Sequence, residues 1–177
     1  YRGHPALHPV SGHFPAGSLT AVYGPNGSGK STLLKGIAGL VPNAGGRVDG
    51  TMTVSDCDRR IAYLPQVNEI DRNFPLNVRD CVMLGLWSRV GPWGAVNTGD
   101  RIRIERALDA VGLGGFEHRT VGSLSSGQFQ RVLFARLMMQ DAHLILLDEP
   151  FNAVDAATTT TLLGVVAQWH SRGATVI

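Results

Sequence analysis

The sequence predicts an α/β fold: a mostly parallel sheet with helices around it and an α-helical section inserted into it. Three observations carry this expectation. A β-rich run, "LTAVY" at Leu19–Tyr23, passes through a glycine-dense turn into a helix-patterned segment. A continuous apolar run, "LILL" at Leu144–Leu147, has the character of a parallel strand buried on both faces. Between them, over 67–123, the chain changes to helical segments broken by glycine.

Taken in order, "KSTLLKGIAGLV" after the turn sets Leu33, Leu34, Ile37, Ala38 and Val41 at helical spacing. "NAGGRVDG" is a turn cluster, and "RIAYLPQ" reads as a short strand stopped by Pro65. The inserted section holds "VRDCVMLGLW" and "DRIRIERALDAVGL", the latter with Ile104, Leu108 and Val111 on one face. At "SLSSGQFQRVLFARLMMQ" a helix begins again, and Ser125 with Gln128 three residues on has capping-box form. A polar helix from Ala156 to His170 then leads to a final strand, "GATVI". One domain over 1–177 follows, with a core formed by 1–66 and 124–177 and a helical subdomain over 67–123.

Composition narrows the class. With 177 residues, 44% of them hydrophobic and 17% charged, the chain can bury a substantial core. A net charge of +2 without any lysine or arginine run disfavours nucleic acid as a ligand. Cys57 and Cys81 lack metal-like spacing and read as two reduced thiols, which points to a reducing compartment. The longest apolar clusters fall well short of the roughly 20 residues a membrane helix needs. The chain opens at Tyr1 and closes at Ile177 inside a strand-like run, so truncation at both ends is expected.

The chemistry begins at "VYGPNGSGKSTLL". Gly24, Gly29, Lys30 and Ser31 fit G-x-x-x-x-G-K-[ST], the phosphate-binding loop. Glycines allow successive backbone N–H groups to converge on one anion, and the following helix adds its positive end. The bland reading is a glycine-rich surface turn, but the strand before and the helix after supply the context the motif requires. Lys30 is expected on the outer phosphates and the Ser31 hydroxyl on Mg²⁺, with Asn26, Gly27, Ser28, Gly29 and Thr32 completing a cradle for a nucleoside triphosphate.

The second element is "LILLDEP". Asp148 at a strand end is suited to the Mg²⁺ shell beside Ser31, and Glu149 to orienting and polarising an attacking water. Two acids merely opening a turn before Pro150 are the structural alternative.

The third element, "LSSGQ" at Leu124–Gln128, resembles the signature motif of ABC-type ATPases, departing from its commonest form at Ser126. Alone it is an ordinary serine-capped helix start. In order with the other two motifs it identifies the chain as similar to that family over essentially its whole length, within the phosphate-loop NTPase class. The resemblance implies that Gln66 in "YLPQ" reaches the Mg²⁺ and water region, that Asp155 in "FNAVD" faces a partner subunit, and that Tyr1 stacks on adenine. A switch histidine is expected beyond Ile177, and His170 does not match it. The resemblance also implies a head-to-tail dimer, most simply of identical subunits, in which Ser125, Gly127 and Gln128 of one copy close over the γ-phosphate held by the other.

The segment "YLPQVNEIDRNFPLNVRDCVMLGLWSRVGPWG" is similar to the ATP subunits of bacterial zinc and manganese importers, and the neighbouring iron-chelate importers read much the same here. That resemblance implies membrane-spanning permease subunits, a periplasmic or lipoprotein metal-binding protein, and a place on the cytoplasmic face of the inner membrane. Trp87, Trp93 and the apolar stretch from Phe74 are expected either to pack the helical insertion or to meet the permease. His4, His8 and His13 are interrupted by Pro5, Pro9 and Gly12, so they read as exposed loop residues rather than a zinc site. A nucleic-acid ABC ATPase would carry a long coiled coil or cysteine cluster in the interval of about 95 residues between loop and signature, and this chain has neither. A small-molecule kinase would lack the signature.

Overall fold

In the computed structural model the described residues are 7–41, 51–53, 60–72, 74–91, 94–152 and 154–177. Tyr1, His4, the "NAGGRVDG" turn, Cys57 and Trp93 lie outside them.

Three strands form a parallel sheet in the order β1 (Ile61–Leu64), β2 (Leu144–Leu147), β3 (Thr175–Val176). Ile61 pairs with Leu144 and Leu64 with Leu147, so β1 and β2 finish level at their carboxyl ends. β2 alternates its faces as a strand must. Ile145 enters the main hydrophobic cluster, whereas Leu146 joins Leu34 and Ile177 in a smaller one on the opposite face.

Helix α1 (Lys30–Ile37) covers that smaller face through Leu34 and Ile37. The main face receives α5 (Ser126–Met138), which follows α2 (Val78–Met83), α3 (Trp87–Val90) and α4 (Thr98–Ala110) and precedes α6 (Ala156–Ser171). Seven residues of α5 are buried, Phe129, Gln130, Val132, Leu133, Phe134, Ala135 and Leu137, because the helix is packed on several sides at once: β1, α2, α4 and α6 all touch it. The ring of Phe134 stacks on Trp169 of α6 with centroids 5.6 Å apart. One cluster therefore runs from the sheet into the inserted helices.

Helix boundaries follow local chemistry. Both reciprocal bonds of the expected capping box at Ser125 and Gln128 are present. A second box, Asn97 with Asp100, starts α4 and extends it before the segment expected from Asp100. The "VRDCVMLGLW" segment is not one helix: a 3₁₀ turn at Leu84–Leu86 separates α2 from α3. At its centre Gly85 lies against the Arg136 carbonyl of α5, where an added Cβ would collide.

Two expectations need correction. Leu19–Tyr23 is not a regular strand: Leu19 makes one parallel bridge to Val176, Thr20 N–H donates to the Val176 carbonyl at 2.9 Å, and Tyr23 is 100% exposed. With pairing confined to that single neighbour, the β-rich residues that follow have no described ladder to join. Helix α6, expected to be polar, buries Leu162, Val165, Val166 and Trp169, since it packs against α5 and β3.

Candidate functional site

The site lies beyond the carboxyl ends of β1 and β2, where parallel α/β sheets leave a crevice between strand ends and helix starts. From Gly24 the chain folds into a tight loop in which Ser28 N–H donates to the Pro25 carbonyl at 3.2 Å. Gly27 and Gly29 take φ of 80° and 93°, a left-handed conformation that costs glycine little and other residues much. Gly24 packs closely on the loop: a Cβ there would stand 2.8 Å from Ser28 Oγ, so that hydroxyl would have to rotate away.

Gly29 is the N-cap of α1, and no side chain caps that helix. Its first-turn amides, with Ser31 and Thr32 in that turn, are left to an anion from outside. Lys30 Nζ donates to the carbonyls of Gly24 and Pro25 at 2.9 and 3.0 Å, which folds its charge over the loop opening. Asn26, Gly27 and Ser28 are exposed along the same rim.

Ser31 Oγ donates to Asp148 Oδ1 at 2.9 Å, and Gln66 Nε2 donates to Ser31 Oγ at 3.3 Å. Three residues from three elements, picked out separately by motif, thus meet at one oxygen. Asp148 is only 2% exposed, held by the strand end through its own N–H to the Leu64 carbonyl at 3.0 Å. The hydroxyl and carboxylate are hard oxygen donors of the kind Mg²⁺ takes, and the described residues contain no cluster of three or more His, Cys, Asp or Glu. A few protein oxygens beside a phosphate cradle fit Mg²⁺, which is usually held by one or two side chains plus phosphate and water.

Glu149 follows in the left-handed region at φ 51°, unusual for a residue with a side chain. Asn152 restrains it at both ends: Asn152 N–H donates to the Glu149 carbonyl and Asn152 Nδ2 to Glu149 Oε2, each at 3.1 Å.

The signature residues stand apart from this crevice. Ser125 caps α5, and Gln128 returns the bond to Ser125 N–H at 3.0 Å. Asp155 caps α6 by accepting from Thr158 N–H at 2.7 Å, the bond that chiefly holds its carboxyl below the usual carboxylate range. Gly127 lies beside that cap, since a Cβ on it would meet Thr158 Oγ1 at 3.3 Å and Asp155 Oδ2 at 3.8 Å. Asp155 and the start of the signature helix are therefore neighbours within one chain. His170 sits in the last turn of α6, away from any of these residues' bonds. His8 and His13 are exposed on irregular backbone.

Several contacts escaped motif reading. Tyr63 OH donates to Asp148 Oδ2 at 3.2 Å. Burial, and then the negative charges of Asp148 and Glu69, push the Tyr63 hydroxyl well above its ordinary value, so it remains a donor at neutral pH. The signal was available once β1 and β2 are paired: Tyr63 lies opposite Leu146, and Asp148 is the next residue along on the same side. Arg72 donates to the Leu124 carbonyl, and its guanidinium lies 5.0 Å from the centre of the Phe129 ring, which ties the segment after Gln66 to the signature. Gln130 reaches the Pro150 carbonyl at 2.7 Å, a contact that no local pattern announces.

A phosphate-binding loop, an acidic strand end at its serine and a separate capped signature helix define an ATP-binding cassette. The chain belongs to the ABC transporter family, whose model matches residues 7–152. It is 42% identical, over 100% of its length and 67% of the relative's, to a zinc transport system ATP-binding protein of Treponema pallidum (strain Nichols). Its identity to a manganese transport system ATP-binding protein of Bacillus subtilis (strain 168) is 38%, over 100% of the chain and 71% of the relative. Against two proteins named as probable metal transport system ATP-binding proteins, of Chlamydia pneumoniae and Chlamydia trachomatis, the chain is 41% and 42% identical and spans 66% and 63% of their length, about two thirds of the curated relatives it matches. Among solved structures, an inward-facing ABC transporter of the metal-chelate type shares 31% identity at a TM-score of 0.76, covering 92% of this chain and 61% of that one. A dimeric bacterial ABC transporter cassette, 24% identical with a TM-score of 0.77 over 97% of this chain and 78% of that one, shares the fold.

Proposed function

We propose that this chain is the ATP-binding and ATP-hydrolysing part of an ABC transporter subunit that powers import of a divalent metal ion, zinc or manganese. The observation that carries the ATPase reading is the meeting of Ser31, Asp148 and Gln66 beside an uncapped glycine-loop helix. The cargo reading rests on the relatives of 42% and 38% identity, whose names specify zinc and manganese transport.

In this reading Lys30 and the amides of Gly27, Ser28 and Gly29 hold the β- and γ-phosphates, with Gly24, Asn26 and Thr32 shaping the cradle and Tyr1 stacking on the adenine. Mg²⁺, held by Ser31 and Asp148 with Gln66 at its edge, would neutralise charge that develops on the phosphates. Glu149, fixed by Asn152, orients water for in-line attack. Ser125, Gly127, Gln128 and Asp155 act on the nucleotide of a second copy packed head to tail. Closure is driven by ATP and released when the bridging γ-phosphate is lost, a ligand-driven shift between two states.

The core of 1–66 and 124–177 carries the phosphate loop and acids, and 67–123 forms the helical subdomain. Among the described residues no helix is long and apolar enough to cross a membrane, so the link to the bilayer is assigned to permease subunits. Phe74 and Trp87 are 62% and 59% exposed, which leaves most of each side chain open to meet such a partner at the cytoplasmic face of the inner membrane. A periplasmic or lipoprotein metal-binding protein would deliver the ion on the other side, and nucleic acid has no part.

The metal-chelate type of the 31% identical transporter favours a second reading, in which the cargo is a chelated metal such as iron. Reconstitution with the permease separates the two. ATP turnover stimulated by a binding protein loaded with free Zn²⁺ or Mn²⁺ is expected; stimulation only by a metal chelate would replace the cargo assignment.

A further inference from the structure

We infer that Gln130 is a positioning residue for hydrolysis, a strut through which α5 holds the turn that carries Glu149. The inference rests on the proposed role of Glu149 and deepens it.

Gln130 is 1% exposed; its Nε2 donates to the Pro150 carbonyl at 2.7 Å, while its buried Oε1 has no partner among the described residues. A buried unpaired acceptor is costly, and an apolar side chain of the same length would avoid it. Core packing therefore does not account for glutamine here. What the amide provides is a donor to the peptide immediately after Glu149.

That peptide needs an external hold. Glu149 has φ 51°, a backbone state that persists only when its surroundings over-determine it. Asn152 braces the turn from its far side through the Glu149 carbonyl and Oε2. Asp148, one residue earlier, is anchored to Leu64. Gln130 supplies the remaining attachment, and it does so from the buried interior of a helix rather than from a loop.

The position of Gln130 on that helix gives the contact its consequence. Ser125 caps α5 five residues before Gln130, which is about 7.5 Å along a helix axis. An anion drawn to the α5 start by the partner's nucleotide thus pulls on the same rigid element that sets Glu149 beside this chain's own nucleotide. The two sites of a dimer are linked by one helix and one amide.

The test is a double-mutant cycle in the protein at its natural length, using Gln130→Met, Glu149→Gln and the pair. Gln130→Met is expected to keep its thermal midpoint within a few degrees and its ATP KM unchanged, while kcat falls at least about tenfold, within the range that a displaced catalytic group costs. In the Glu149→Gln background the same substitution is expected to add nothing, because it acts through Glu149. Gln130→Asn, which keeps the amide but is one methylene short, should copy the kcat loss and serves if the methionine variant does not fold. Wild-type turnover by the Gln130 variants, or an undiminished extra loss in the Glu149→Gln background, overturns the inference alone. Undiminished turnover by Glu149→Gln itself would instead remove the catalytic reading on which it stands.

Discussion

Both oxygens of Asp148 are engaged from different sides: Ser31 donates to Oδ1 at 2.9 Å and Tyr63 to Oδ2 at 3.2 Å. The carboxylate is thereby fixed in rotation as well as position, and the tyrosine is the partner that does not itself belong to the glycine loop. In the proposed site, where Asp148 would hold Mg²⁺, a group that hydrogen-bonds such a carboxylate is worth about 10–100-fold in metal affinity. Tyr63→Phe retains the ring and removes only the donor. Its Mg²⁺ requirement for ATP turnover should rise by about tenfold, while nucleotide binding without Mg²⁺ is unchanged. Coincident Mg²⁺ titration curves for the two proteins would exclude this role.

At Gly85 the inserted section presses directly on the backbone of α5. A methyl group there would strike the Arg136 carbonyl and stand 2.9 Å from Met139 Cβ, and backbone on a buried helix does not give way readily. Gly85→Ala should destabilise the fold by about 2 kcal/mol, the middle of the range for overpacked cores. Urea unfolding measures it directly. A midpoint equal to or above that of the parent would show that α2 and α5 can part without cost.

The parts of the molecule that could be read from sequence are those whose meaning is local. The loop from Gly24 to Ser31 declares itself because a phosphate cradle needs residues without side chains, and "LILL" because a strand covered on both faces needs no polar residue. The Ser125 box is spelled in four consecutive residues. Leu19–Tyr23 misled because β propensity does not supply a partner, and the only described pairing is with Val176. Helix α6 misled because four consecutive threonines, Thr158–Thr161, outweigh in composition the buried face of Leu162, Val165 and Trp169. Tyr63 to Asp148 and Gln130 to Pro150 join residues far apart in sequence. They become visible only once strand order and helix packing are known.

Cys81 offers a probe of the inserted helices. It is buried on α2 and free, and burial pushes its thiol up, partly opposed by the Arg136 charge. Raising the pH from 7 to 9 converts an ordinary thiol, with a pKa of about 8.5, to its reactive thiolate. Cys81 should respond far less, so in a Cys57→Ser variant its alkylation rate is expected to stay low across that interval and jump on unfolding. The sign of the linkage is that of a raised pKa: its stability contribution is whole below the unfolded thiol's value and declines as pH climbs through the folded one. Rapid alkylation of native protein at pH 9 would mean that α2 opens locally.

Gly127 separates folding from function most sharply. It occupies the first turn of α5, where alanine is the better helix former by up to about 1 kcal/mol. A Cβ would also come within 3.3 Å of Thr158 Oγ1 and 3.8 Å of Asp155 Oδ2, tight but with side-chain atoms that can shift by a few tenths of an ångström. The two effects oppose each other, and Gly127→Ala should unfold within about 1 kcal/mol of the parent. In the proposed dimer, however, the same methyl group sits in the helix turn that closes on the partner's γ-phosphate. ATP binding to the single subunit, assigned above to Lys30 and the glycine loop, is expected to be unaffected, whereas the ATP-dependent dimer expected on size-exclusion chromatography in a Glu149→Gln background should be lost. A normal dimer from the alanine variant would place the γ-phosphate contact elsewhere than at the start of α5.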